Sequence, residues 1–102
     1  MQITEVRVRL LDSPKMLAVA SVTFDGCFVV HDIKVIDGQN GTFVAMPSRK
    51  MAENDFRDIA HPLNQFTRDM IREAVLDAYD RELRAAMNDS AENAERIAAR
   101  FF

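Results

Sequence analysis

The spacing of the apolar residues changes at Pro62, and this change constrains the fold more than any other feature of the chain. Before Pro62 the apolar residues alternate with polar ones, as in Val6, Val8 and Leu10, which is the period of a half-buried strand. After Pro62 they recur every three or four positions, which is the period of one helical face. The residues of that face are Phe66, Met70, Ile71, Ala74, Val75, Ala78, Tyr79 and Leu83. The sequence therefore predicts an α+β domain, with a sheet at residues 2–60 and a helix at residues 64–87.

Turn signals divide the alternating part into strands. Asp25-Gly26 lies between strand-like runs at residues 16–24 and 27–37, and glycine tolerates the positive φ of a tight hairpin turn. Gly38-Gln39-Asn40-Gly41 is a second turn signal, and residues 42–46 form the next run. We expect these runs and the first one to form an antiparallel meander of four strands. In the run at residues 16–24, alternation gives one face to Met16, Ala18, Ala20, Val22 and Phe24.

The segment after Pro47 is harder to assign. Residues 48–54 are polar and predict a mobile loop. Residues 55–60 predict a short fifth strand, with Phe56 and Ile59 packing inward.

The third strand predicts a partner subunit. Both of its faces are apolar, since alternation gives Val29, Ile33 and Val35 to one face and Phe28, Val30 and Ile36 to the other. One main helix covers only one face of a sheet. We therefore expect a homodimer, in which a second copy covers the other face.

Asn64 is the expected N-cap of the main helix, with Thr67 as the competing candidate.

The end of the chain predicts a second, short helix. Asn88-Asp89-Ser90 interrupts the helical pattern, and residues 88–102 read as a helical extension to a single domain at residues 1–87. The extension ends in the apolar pair Phe101-Phe102.

Composition restricts the class of protein. With 102 residues, 48% of them apolar, the chain has room for one core. A single cysteine, Cys27, excludes an internal disulfide; it follows a hairpin turn with no basic partner apparent in sequence, so we expect a small buried or half-buried hydrophobic side chain. The N-terminus has no signal-peptide pattern, and no apolar run is long enough to span a membrane. We expect a soluble, cytoplasmic protein without membrane insertion.

The chain lacks the residue groupings of an enzyme. Its two histidines, His31 and His61, have Asp32 and Asp58 near them in sequence, but no nucleophile or oxyanion motif accompanies them. Neighbouring strand residues such as His31 and Asp32 point to opposite faces. We expect structural histidines, no metal site, no cofactor and no catalytic activity.

Cations are more informative by position than by number. The net charge is −3, which argues mildly against non-specific nucleic-acid binding. However, five cations fall in the loop, the short fifth strand and the first helical turns, where they could hold phosphate groups. They are Arg49, Lys50, Arg57, Arg68 and Arg72. The i, i+4 spacing of Arg68 and Arg72 predicts that both project from one solvent-facing side of the helix. The alternative is an ordinary solvated surface, in which Glu53, Asp55, Asp69 and Glu73 compensate these charges.

Several stretches resemble one bacterial family. The longest runs from Phe28 to Lys50 and includes Phe-Val-Val-His-Asp-Ile-Lys-Val-Ile-Asp-Gly; a second, from Phe56 to Asn64, is Phe-Arg-Asp-Ile-Ala-His-Pro-Leu-Asn. The first strand, Thr67-Arg68 and residues 74–79 also fit. Over residues 2–80 the chain resembles the SpoVG (stage V sporulation protein G) septation regulators.

The resemblance implies a small α+β homodimer without enzymatic activity. Family members are associated with septum formation and cell division, with sporulation where it occurs, and with regulation of gene expression through DNA or RNA binding. In family members, nucleic-acid binding is attributed to the stretch that matches residues 67–72 here. The resemblance therefore adds Thr67 to the candidate contacts. Asp69 and Met70 depart from the family pattern, in which a small residue and then a lysine are usual. One cation is lost and one anion is gained relative to the family pattern, which predicts weaker nucleic-acid binding with a shallower salt dependence.

Two functions are consistent with the sequence. In the first, a dimeric regulator contacts DNA or RNA through the cations named above. In the second, a protein–protein adaptor of the division machinery binds septum-associated proteins without touching nucleic acid. The acidic total, Asp69 and the Phe101-Phe102 pair favour the second.

Overall fold

A computed structural model describes the backbone of residues 1–101 and the side chains of residues 1–87. Over the described residues the fold is α+β, with six strands followed by one helix. In chain order these are β1 (Ile3–Leu10), β2 (Met16–Phe24), β3 (Phe28–Gly38), β4 (Gly41–Ala45), β5 (Ser48–Ala52), β6 (Asp55–Asp58) and α1 (Gln65–Phe101).

The first four strands form the predicted antiparallel meander, in the order β1-β2-β3-β4. At the β2–β3 turn, Asp25 and Gly26 have φ values of 51° and 64°, as the Asp-Gly signal predicted. Cys27 belongs to the same turn, and its backbone N–H donates to the carbonyl of Phe24. The prediction of a buried or half-buried Cys27 was wrong because the turn holds this residue in solvent, where it is exposed.

The core lies between one face of this sheet and α1. Every second residue of β2 is buried, from Ala18 to Phe24, as its alternation predicted. Ile71 and Val75 of α1 pack against this face, and Val75 is fully buried. The helix therefore supplies the apolar cover that an antiparallel sheet with one wet face needs.

A β-bulge changes the expected faces of β3. Between Ala20 and Val22, the single residue Ser21 faces two residues of β3, His31 and Asp32, and Asp32 has a φ of 62°. The extra residue moves Val30 onto the core side, together with Ile33 and Val35. Val29 is 43% exposed, so its predicted grouping with Ile33 and Val35 was wrong.

Residues 48–58 form a hairpin rather than the predicted loop and lone strand. β5 pairs with β6 around Asn54, whose φ of 64° is one that asparagine tolerates. Phe56 and Ile59, predicted to pack inward, are 63% and 70% exposed. Among the described residues, neither strand packs against the four-stranded sheet or α1, so nothing in the described chain covers these side chains.

The helix begins where one of the two candidate caps predicted. The side-chain oxygen of Asn64 accepts a hydrogen bond of 2.8 Å from the backbone N–H of Thr67, which makes Asn64 the N-cap. The predicted interruption at residues 88–90 is absent from the described backbone, because α1 continues to Phe101. Aspartate, asparagine and serine stop a helix only weakly without glycine or proline. The predicted role of the Phe101-Phe102 pair concerns side chains that lie outside the described residues.

The predicted apolar face of α1 is buried only in its middle. Met70, Ala74, Ala78 and Tyr79 are partly buried beside Ile71 and Val75, whereas Phe66 is 80% exposed and Leu83 is 38% exposed. Within the described part of the chain, no helix is both long enough and apolar enough to cross a membrane.

Candidate nucleic-acid interface

Two of the predicted cations meet over a small apolar depression. Arg68 and Arg72 lie one turn apart near the start of α1 and are both exposed, as their spacing predicted. They line a depression of about 200 Å³ between α1 and β4. Its other lining residues are apolar: Phe43, Val44, Met46, Pro62 and Ile71. We call Arg68 and Arg72 the helix patch, and this hollow the patch depression.

Asp69 reduces the charge of the helix patch. One of its carboxylate oxygens lies 3.1 Å from Nη2 of Arg72 and accepts a hydrogen bond of 2.8 Å from Nε2 of Gln65. The Arg72 side chain remains 49% exposed in this pair. Arg68 has no ion pair among the described residues. Of the two guanidinium groups, Arg68 is therefore the freer to bind an anion.

Thr67 does not line the patch depression. It is half-buried and lines a separate apolar cavity of about 190 Å³, which also borders Phe24 and Ile33. Its backbone N–H is already bonded to Asn64. The structure thus gives Thr67 a place at the helix start and beside the core, apart from the depression that Arg68 and Arg72 share.

The hairpin brings two further predicted cations together. Arg49 and Arg57 are direct cross-strand partners, whereas Lys50 is opposite Phe56 on the other face. Like charges directly opposite each other destabilise a strand pair. Neither arginine has an ion pair among the described residues. We call Arg49 and Arg57 the hairpin pair; their placement is suited to a shared anionic ligand.

The five predicted cations therefore form two pairs and one separate residue, not one cluster. The hairpin does not pack against α1 in the described chain, so the helix patch and the hairpin pair are two separate surfaces. Within the part of the chain whose side chains are described, Arg72 is the only one of the five cations that pairs with an acid, namely Asp69.

A third group of cations lies on the sheet face away from α1. Arg9 and Lys34 are both in register with Val19, on either side of it. Arg7 lies nearby and donates a hydrogen bond of 2.6 Å to Glu5. This hydrogen bond and the charge of Glu5 raise the pKa of Arg7. Local sequence patterns do not single out these residues, because such patterns do not show which side chains of different strands share the uncovered face.

The histidines make local hydrogen bonds. Nδ1 of His31 lies 2.9 Å from Oγ of Ser21, across the bulge, and Nδ1 of His61 donates to the carbonyl of Pro62 at 3.0 Å. Within the described residues, no three histidine, cysteine or acidic side chains are grouped closely enough to hold a metal ion.

Comparison with known proteins identifies the family. The SpoVG family model matches residues 1–81, which include the sheet, the hairpin and the first part of α1. The chain belongs to the SpoVG family. The match ends well before the end of α1, so both cation pairs lie inside the family region and the last twenty or so residues lie outside it.

The alignments between this chain and similar SpoVG proteins span most of the length of those proteins. A protein of Acetivibrio thermocellus is 63% identical over 81 residues, which are 78% of this chain and 86% of that protein. One of Caldicellulosiruptor bescii is 60% identical over 78% of this chain and 92% of its own. One of Clostridium novyi is 55% identical over 95% of this chain and 96% of its own. All three bear the name "Putative septation protein SpoVG".

The apolar part of the site was not predicted from the sequence. Phe43 is 47% exposed at the sheet edge, and nothing local relates it to Arg68, twenty-five residues later. The hydrophobic run of β4 indicates a strand but not its neighbour. Only the packing of α1 against β4 brings Phe43 and Val44 to the helix patch.

Proposed function

We propose that this SpoVG protein is a non-enzymatic regulator of septation and gene expression that acts in the cytoplasm as a homodimer and binds DNA or RNA. The observation that carries the proposal is the helix patch. Two exposed guanidinium groups one helical turn apart can each contact a phosphate, and arginine presents several donors to phosphate oxygens. The hairpin pair supplies a second phosphate contact on the same subunit.

The local scale of these patches agrees with the acidic composition. Residues 1–62 carry 7 cations and 8 anions, and residues 63–102 carry 6 and 8, so neither part is basic as a whole. Phosphate binding must then come from a few residues, and it is modest for one subunit. A dimer presents each patch twice, which raises the avidity for a long nucleic acid.

The hairpin supports the homodimer. An isolated two-stranded hairpin is marginally stable in water, yet β5 and β6 pack on no other element of the described chain. Met51 and Phe56 are 54% and 63% exposed on it. A second copy of the chain that covers these side chains would stabilise the hairpin, and this reason for dimerisation is stronger than the apolar faces of β3.

An electrophoretic gel shift tests the proposal. Arg68→Ala with Arg72→Ala removes the helix patch, and we expect loss of DNA and RNA retention with an intact dimer by light scattering. Arg81→Ala with Arg84→Ala is the matched control, since both residues are exposed arginines further along α1. Retention unchanged in the helix-patch variant, or equally lost in the control, would contradict the site assignment.

The second candidate function is a protein–protein adaptor of the division machinery, and one specific surface favours it. Phe66 and Met70 line a hollow of α1 together with Asp69, Glu73 and Asp77. An exposed phenylalanine among acids is suited to a protein partner with a basic and apolar surface. Salt separates the two functions, because phosphate binding must weaken steeply with ionic strength, whereas apolar docking does not.

A further inference from the structure

We infer that the patch depression holds an unpaired nucleobase, so that the protein selects single-stranded over duplex nucleic acid. The inference rests on the proposed nucleic-acid binding and specifies its ligand. The site combines two kinds of surface: two guanidinium groups lie beside a hollow whose other lining residues are apolar.

Phosphate binding alone does not require such a hollow. Phosphates lie on the outside of a nucleic acid, and cations on a flat or convex surface reach them. An apolar hollow beside two cations suits a ligand that joins an anion to a flat, weakly polar ring, and a nucleotide is such a ligand. In a duplex the bases are stacked and paired, so only an unpaired base can enter the hollow.

The size of the hollow limits its occupant. Its volume of about 200 Å³ is below the roughly 300–1,000 Å³ that pockets for drug-sized ligands reach. A single base with its phosphate outside is therefore a better occupant than a larger cofactor. Phe43, which is 47% exposed at the edge of the hollow, supplies the aromatic surface that single-strand-binding proteins use for bases.

The position of Phe43 is set by the backbone beneath it. A Cβ atom on Gly38 would come within 2.8 Å of the Phe43 ring, so the absence of a side chain at Gly38 lets the ring lie close to β3. The cations are held separately, on α1. Ring and cations are thus both carried by regular elements, which gives the site a defined geometry before a ligand binds.

Fluorescence anisotropy with three labelled oligonucleotides tests the inference. The probes are a single strand, the same strand in a duplex, and the same strand with abasic sites, each as DNA and as RNA. For the unmodified protein we expect the single strand to bind more tightly than either of the others. For Phe43→Ala we expect affinity for the single strand to fall by roughly 5- to 100-fold, as for loss of one stacked base, with affinities for the duplex and the abasic strand unchanged.

Two further variants make the test specific. Phe43→Leu keeps an apolar side chain and the fold but lacks the ring, so it should lose most of the preference for the single strand. Phe28→Ala removes another exposed phenylalanine, which is 65% exposed and does not line the patch depression, and should change nothing.

The outcomes separate this inference from the proposed function. If the unmodified protein binds none of the probes, the proposed function fails. If it binds single strand and duplex equally, or Phe43→Ala weakens both equally, nucleic-acid binding stands and the base site is overturned. An abasic strand that binds as well as the intact one also overturns it.

Discussion

Arg72 and Asp69 form an ion pair on the first turns of α1, with Nη2 of the arginine 3.1 Å from Oδ1 of the aspartate. The pair lies at the helix patch, where an anionic ligand would compete with Asp69 for the same guanidinium group. If the helix patch binds nucleic acid as proposed, Asp69 competes with phosphate for Arg72.

Removal of this competitor should strengthen nucleic-acid binding. In Asp69→Asn the side chain keeps its shape and the hydrogen bond from Gln65 but loses its charge. Exposed ion pairs of this kind contribute up to about 1 kcal/mol, so affinity should rise by about twofold to fivefold. The salt dependence should become steeper, because Arg72 is then available for a phosphate.

The matched control is Asp77→Asn. Asp77 pairs with Arg81 on the same helix, outside the patch depression, so this change alters the net charge equally. An equal gain of affinity in both variants would mean that total charge, rather than the Arg72 pair, governs binding.

Arg57→Glu should stabilise the hairpin while it weakens binding. Arg57 is opposite Arg49, and an opposite-charge pair in place of a like-charge pair contributes roughly 0.2–1 kcal/mol. Amide hydrogen exchange across residues 48–58 should slow, and retention of nucleic acid should fall. Slower exchange with unchanged retention would remove the hairpin pair from the binding surface.

Ile33→Ala should destabilise the whole domain. Ile33 is fully buried beneath α1, and the loss of a buried isoleucine side chain costs about 2–5 kcal/mol. Urea unfolding followed by circular dichroism measures this loss. Leu63→Ala is the control, because Leu63 is 91% exposed and its truncation should leave the unfolding midpoint unchanged. Equal effects of the two changes would contradict the assignment of the core.

Gly38→Ala should displace Phe43. The new methyl group would come within 2.8 Å of the ring, so the ring must shift from its position, and the 47% exposure of Phe43 leaves space for that shift. We expect a stability loss of only about 1 kcal/mol, at the low end for overpacking. Changed chemical shifts of the Phe43 ring would be the direct evidence. Unchanged shifts would show that the close approach to Gly38 does not set the position of the ring.

Local patterns predicted the regular elements well and their irregularities poorly. The alternation of β2, the Asp25-Gly26 turn and the Asn64 cap are each encoded within a few residues, and each prediction was confirmed. The bulge at Asp32 was not predictable in this way, because an extra residue is recognised only against the partner strand.

In the candidate site too, the features encoded by local sequence were predicted and those set by tertiary packing were not. The spacing of Arg68 and Arg72 placed both on one exposed face, since helical geometry alone decides that. The β5–β6 hairpin had one local signal, an asparagine at its turn, but its polar strands lack the alternation that indicates strands. Phe43 joins the site only through tertiary packing, which no short-range pattern records.

The most direct test of nucleic-acid binding by the helix patch is a salt titration. Affinity for a single strand is measured over a series of salt concentrations, for the unmodified protein and for Arg68→Ala with Arg72→Ala. Each lost phosphate contact should reduce the slope of log affinity against log salt by about 0.7. The expected result is a steep slope for the unmodified protein and one shallower by about 1.4 for each subunit engaged. Binding that is independent of salt, or a slope that the double substitution leaves unchanged, would contradict it.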